Sequence, residues 1–189
     1  MAAFAGIASL AVDCPCFVYH DSRDLTGFVD GTANPAPSDA PAVACIAAGE
    51  PGAGGCHVMT QRWVHDLASF GELGVPDQER VIGRTKLDSV ALPSESRPAD
   101  SHITRAEIHD AAGEERPIYR RSTPYGTAAE QGLFFLAFSA ERDRFDAMLA
   151  QMYGTDGGGI RDRLLDFSMP VTGSYYFAPS AEALSGLGA

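Results

Sequence analysis

A chain of 189 residues, 45% hydrophobic and 21% charged, is long enough for one domain with a buried core, and its balance points to neither disorder nor a membrane protein. Its formal net charge of -11, with Lys86 the sole lysine among 14 basic residues, leaves no basic stripe for a phosphate backbone, so nucleic acid is not an expected partner. The apolar start, Ala2 to Val12, follows no basic residue and is too short to span a bilayer, and it reads as neither signal peptide nor anchor. Cys14, Cys16, Cys45 and Cys56 make no disulfide framework at this length and fit a reduced, cytoplasmic setting. Drawn as a zinc site with His57, they match no knuckle or ribbon spacing.

In chain order, the first informative segment is Asp24 to Pro35. Asp-Gly and Asn-Pro are strong turn signals, while Phe28 and Val29 pull the turn against a core or a cofactor face. Asp30 is thereby a carboxylate in an apolar, glycine-hinged turn, a candidate proton shuttle; the plainer reading is a surface turn. Two glycine- and proline-rich stretches, Ala33 to Gly55 and Leu92 to Ser101, read as long loops of the kind that line pockets. From His57 to Arg62 alternation predicts a strand, and Trp63, Leu67 and Phe70 then recur at helical spacing. Pro76 opens a helix through Val81 and Ile82 that ends near Gly83.

Ile103 to Asp110 and Glu115 to Arg121 read as a hairpin turning near Gly113, which brings His102 near Arg120 to Ser122. The continuous apolar run Gly132 to Phe138 is a central strand covered on both faces. Ser139 then caps a helix with Glu141 in its first turn; Phe145, Met148, Leu149 and Met152 form its buried stripe and Gly154 closes it. A short helix from about Ile160 to Asp166 and a strand from Ser174 to Phe177 follow. The pattern predicts an α+β fold, ferredoxin-like in outline, with a mostly antiparallel sheet and helices on one face.

The stretch Gly27-Phe28-Val29-Asp30-Gly31 resembles the GxxDG motif of the dye-decolourising (DyP-type) haem peroxidases. Further pieces match that family in the same order: Tyr19 to Leu25, Val64 to Leu67, Ile82 to Lys86, Asp100-Ser101-His102, Arg120 with Pro124-Tyr125-Gly126, and Leu165 to Ser168. The likeness is to the C-terminal, haem-binding portion of the compact bacterial subfamily, over residues 17–179; residues 1–16 are read as the remnant of a preceding domain or leader and 180–189 as a flexible tail. Family members carry a first ferredoxin-like domain before the motif, and here about 26 residues precede it. A chain lacking that half is expected to expose apolar surface, and it is read as a fragment, as the product of a shortened gene, or as a homo-oligomer that recovers burial by self-association.

The resemblance implies a haem b held by an axial histidine, with an aspartate and an arginine on the opposite face. Residue chemistry alone does not choose among the five histidines, His20, His57, His65, His102 and His109; the family match selects His102 as the metal ligand. Asp166 is the candidate acceptor for its far ring nitrogen, with a helix-end carboxylate as the plainer reading. Asp30 and Arg120 are the catalytic pair: a base moves a proton between the peroxide oxygens and a guanidinium offsets developing charge. Arg121 is the alternative to Arg120, which the spacing to Pro124-Tyr125-Gly126 favours. Phe28, Val29, Gly31, Thr32, Ser122, Leu133 and Phe135 are implied cofactor contacts, with Ser122 standing where the subfamily has an asparagine; Leu133 and Phe135 would equally serve a plain core strand. The implied activity is reduction of hydrogen peroxide with one-electron oxidation of phenolic or dye-like aromatics, with Tyr119, Tyr125, Tyr153 and Trp63 as relay candidates. Turnover is then expected to fall as pH rises above mildly acidic values. The alternative is a haem- or porphyrin-binding protein without turnover. A non-haem metal site from His102, Glu107, His109 and Asp110 fails on strand parity, which puts the two histidines on opposite faces. The Gly-Leu tail, Leu184 to Gly188, faintly resembles the loading tails of encapsulin cargo, and a plain tail is the preferred reading.

Overall fold

The computed structural model describes residues 6–186. Its centre is an antiparallel sheet of β1 (Cys56–His65), β2 (Tyr119–Arg120), β3 (Thr123–Gly126), β4 (Gln131–Ser139) and β5 (Ser168–Ala178). The order is β2-β4-β1-β5, with β3 also pairing to β4, so the apolar run read as a central strand is one. Six short helices accompany it: α1 (Ala40–Ala44), α2 (Leu67–Glu72), α3 (Val75–Ile82), α4 (His102–Ala106), α5 (Asp143–Met152) and α6 (Ala181–Gly186).

Register explains the core. Met59 lies opposite Ala137, Gln61 opposite Phe135 and Trp63 opposite Leu133, so these side chains share one face of the sheet. Phe145, Met148 and Met152 of α5 pack onto that face with Ile108, Ile118 and Leu165. The stripe expected on α5 is therefore the buried one, although the helix starts at Asp143, because Ser139 Oγ is engaged with the backbone of Glu141 ahead of the first turn. A second cluster, Phe28, Phe70, Val81 and Ile82, packs the Asp24–Pro35 turn against α2 and α3. Helix α3 has Pro76 in its first turn and ends at Gly83, whose φ of 91° is the left-handed cap expected there.

Two expectations are corrected. Trp63 belongs to β1: ladder bonds to β4 and β5 hold the chain extended as far as His65, and the helix begins only after Asp66 accepts from Ser69 N. The first arm of the predicted hairpin is helical from His102 to Ala106, with Ser101 as its N-cap, and pairing survives only around the His109–Glu115 bridge and its Gly113 turn. Within the segment read as a tail, Ala181–Gly186 form the exposed helix α6, where Ser180 Oγ accepts from Ala183 N at 3.2 Å and Ser180 O from Leu184 N at 3.0 Å. Residues 187–189, which hold the end of the Gly-Leu tail, lie outside the described residues, as do residues 1–5.

Candidate active site

The turn that carries Asp30 is built by its own backbone. Asp24 N donates to Phe28 O at 2.9 Å, Gly27 N to Asp24 O at 2.9 Å, and Asp30 N to Ser22 O at 3.0 Å. Gly27 and Gly31 take φ values of 89° and 76°, which L side chains adopt only under strain, so both glycines of the motif are needed for the bend. Phe28, 5% exposed, anchors the turn in the apolar cluster and faces Phe70 edge-on. Asp30 Oδ1 accepts from Gly31 N at 2.8 Å. Burial raises the Asp30 carboxyl above its ordinary value, and neither Arg120 nor the Gly31 bond brings it back.

Arg120 stands at the end of β2. Asn34 fixes its backbone from both sides: Arg120 N donates to Asn34 Oδ1 and Asn34 Nδ2 donates to Arg120 O, each at 2.9 Å. Nε of Arg120 is buried without a partner among the described residues, and burial lowers the guanidinium's pKa despite the attraction of Asp30. An unsatisfied cationic donor inside the protein is costly unless something negative or polar meets it. Arg121 turns away, with its guanidinium over the Tyr119 ring at 5.8 Å.

His102 opens α4. Its Nδ1 lies 2.7 Å from Oδ2 of Asp162, a side chain with no exposure, whose other oxygen accepts from Leu164 N at 2.9 Å. A carboxylate acceptor makes Nδ1 the donor, so in the neutral ring Nε2 carries the lone pair that binds a metal. The expected acceptor, Asp166, is instead half-exposed and bonded to Arg161 Nη1 at 2.6 Å. The correction has a simple cause: the chain enters a 3-10 turn at Arg163, so Asp162 caps the turn facing inward while Asp166 comes out at its far end.

Two adjoining cavities of about 420 Å³ and 140 Å³ meet at these groups; Val29, Asp30, Ile82, His102, Arg120 and Met148 line both. Gly31 and Thr32 line the larger, Phe28, Leu133 and Phe135 the smaller. Of the expected contacts, Ser122 lies outside both: its Oγ is 3.4 Å from Leu136 N, and it lines a neighbouring cleft with Asn34 and Arg120. The alternative metal set does not assemble, since His109 is exposed with Glu107 at 3.7 Å and no three-residue metal group occurs among the described residues. Of the aromatic relay candidates, Trp63 and Tyr125 are buried and Tyr153 is 41% exposed.

Sequence reasoning did not find Asn34, Asp162 or the buried pair His65 and Asp24, which lines the smaller cavity with Ser168. Asn34 was legible as a turn former in Asn-Pro, but only the fold shows that it grips the strand 86 residues away. Nothing local distinguishes Asp162 from the other acids of its segment.

The family model for the C-terminal part of Dyp-type peroxidases matches residues 21–183. A dye-decolorizing peroxidase of Mycobacterium tuberculosis is 43% identical over 173 residues, 89% of this chain and 51% of that one. DyPB from Rhodococcus jostii RHA1 superposes with a TM-score of 0.92 at 38% identity, over 97% of this chain and 60% of that chain. A variant of that protein solved in complex with heme superposes with a TM-score of 0.93 at 38% identity, over 98% of this chain and 61% of that chain. The chain spans about half the length of the curated relatives it matches. With the match covering most of the chain and the GxxDG turn, His102 and Arg120 gathered on one cavity, the chain belongs to the Dyp-type peroxidase family and corresponds to its C-terminal part.

Proposed function

We propose that this chain binds haem b and serves as a peroxidase, reducing hydrogen peroxide and oxidising small phenolic or dye-like aromatics by one-electron steps. The observation that carries the reading is His102: its Nδ1 is committed to the buried Asp162, its Nε2 has no hydrogen-bond partner among the described residues, and the ring lines a cavity shared with Asp30 and Arg120. The residues fit the group. The smaller cavity has apolar walls from Phe28, Leu133, Phe135, Met148 and Leu165, which suit the face of a flat macrocycle whose bulk also needs the adjoining 420 Å³, and Arg120 Nε is an orphaned donor that a polar ligand would satisfy.

Haem b would be held by His102, and when bound it supplies the redox-active iron. The rest of the work falls to protein groups. Asp162, by accepting from Nδ1, makes His102 a more electron-rich ligand and fixes its ring. Asp30 accepts a proton from peroxide and returns it to the departing oxygen; its raised proton affinity makes it a stronger base than a surface aspartate. Arg120 offsets negative charge on that oxygen, and its backbone clamp to Asn34 holds it in place before substrate arrives.

Hemin titration followed by peroxide tests this. The native chain is expected to develop a Soret band and His102→Ala to lose it. Asp30→Asn and Arg120→Leu should keep the band while the peroxide reaction slows about hundredfold. A native chain that never colours, or a His102→Ala protein with an unchanged spectrum, overturns the reading; colour without any response to peroxide identifies the binding-only alternative.

The reading extends to a homo-oligomer, supported by the apolar residues exposed on β5, and to a cytoplasmic setting, supported by four free thiols. Among the four relay candidates, Tyr153 is the best exposed for contact with reductants. An encapsulin shell as partner has no support from the described residues.

A further inference from the structure

Beside the cavity runs a hydrogen-bonded chain to which the peroxidase reading gives no task. Ser168 Oγ lies 2.8 Å from His65 Nδ1, and His65 Nε2 lies 3.1 Å from Asp24 Oδ1. Because the carboxylate only accepts, Nε2 donates to Asp24, and in the neutral ring Nδ1 then accepts from the Ser168 hydroxyl. Asp24 Oδ2 in turn accepts from Thr26 N at 3.0 Å and from Thr26 Oγ1 at 2.6 Å. Ser168 is buried at 4% exposure, and His65 and Asp24 are partly buried, with side chains 6% and 14% exposed. They line the smaller cavity, on whose wall Asp30 also stands.

The order of groups is that of a hydrolytic triad, but the context is different. His65 ends β1 and Ser168 opens β5, directly opposite it in the ladder, so two members sit on the rigid end of the sheet. Asp24 is the first residue of the turn that presents Asp30, and its own N–H and C=O make the two bonds that close that turn. A network spanning from the sheet to the root of this turn fixes where the turn's far end lies, and it does so with charge-assisted bonds in a water-poor setting.

We propose that His65 and Asp24 are positioning residues for Asp30, with the Ser168–His65–Asp24 chain carrying the geometry of the β1/β5 strand ends into the turn that holds the acid. Two consequences follow. The turn should be locked even in the haem-free chain. Asp24, as a neighbouring negative charge, should also make Asp30 hold its proton more tightly, alongside the opposing influence of Arg120 and His102. Asp24 itself stays ionised: burial pushes its carboxyl up, and the bonds from His65 and Thr26 outweigh burial and bring it below its ordinary value.

The proposal rests on the acid role given to Asp30, and its test needs no haem, so its failure and that of the peroxidase reading are distinguishable. In the purified haem-free chain, the Asp30 carboxyl is followed by carbon NMR against pH, assigned with Asp30→Asn, and the amides of Gly27 to Gly31 by hydrogen exchange. Asp24→Asn, which keeps the shape and removes the charge, is expected to move the Asp30 midpoint to lower pH. His65→Phe should speed exchange in the turn about tenfold, and His65→Gln, whose amide N–H can still donate to Asp24, should recover much of the protection. If Asp24→Asn does not fold, the two His65 variants decide alone. An Asp30 midpoint unmoved in a folded Asp24→Asn protein, or turn exchange that is the same in His65→Phe, His65→Gln and the parent, overturns the proposal.

Discussion

Asp30 works against the stability of the fold it serves. Its carboxyl is raised above the ordinary value by burial, so ionising it costs more in the folded chain than in the unfolded one. The sign follows: that cost is absent below the unfolded value, about 3.9, and is fully felt once pH has risen through the folded value. Asp30→Asn removes the ionisable group, and thermal melting should show the variant more stable than the parent at pH 7, with the gain gone near about pH 3. Equal melting temperatures at both pH values would mean that the carboxylate is solvated as on a surface. The acid itself was legible, because a glycine-hinged turn containing Phe28 had to be drawn inward. Its partners were not. Asp162 and Asp166 flank the same short turn, and only the entry of the chain into a 3-10 helix decides which of them meets His102.

Among the elements, the contact between α3 and α4 sets the histidine. Gly83 ends α3 with φ 91°, and a Cβ placed there would collide with Cγ2 of Ile103, the neighbour of His102. Gly83→Ala therefore combines left-handed strain with a displaced α4. A loss of about 1–3 kcal/mol in chemical denaturation is expected, together with weaker hemin binding than in an equally destabilised variant far from α4. Normal binding in the folded variant would show that α4 is not held by this contact. The end of α3 was readable because Pro76 and Gly83 act through local backbone geometry. The identity of α4 was not, since a five-residue segment offers no more than one helical turn of periodicity, and its helical state comes from packing Arg105 and Ile103 against α5 and Gly83. Trp63 failed for the same reason in reverse: its spacing with Leu67 and Phe70 is helical by coincidence, and two flanking strands overrule it. The central strand β4 was the easiest element to read, because its unbroken apolar run stands out; it does lie between neighbouring strands, although most of its side chains are only partly buried.

At the scale of the molecule, the sheet ends in a strand that nothing covers among the described residues. β5 pairs only with β1, its eleven residues carry no charge, and Met169, Val171, Tyr175, Tyr176 and Phe177 are 39–61% exposed. Edge strands of this length are ordinarily blunted by lysines, bulges or a covering element. Here Pro170 and a register shift at Arg62/Trp63 interrupt only the first part, leaving Thr172 to Ala178 regular. Opposed to association is the net charge of -11, which sets like-charged copies against each other. The balance of a neutral, apolar strand against an acidic whole has a definite signature: sedimentation velocity should show association that grows with protein concentration and with added salt, since salt screens the repulsion and leaves apolar contact intact. Tyr176→Lys, on the face opposite Tyr175 and α5, puts charge on the strand without touching the helical face of the sheet, and is expected to require about tenfold more protein, or more, for the same association. If the parent stays monomeric at every concentration and salt level, or if the charged variant associates as readily, β5 is not the surface through which copies meet and the apolar exposure must be satisfied some other way.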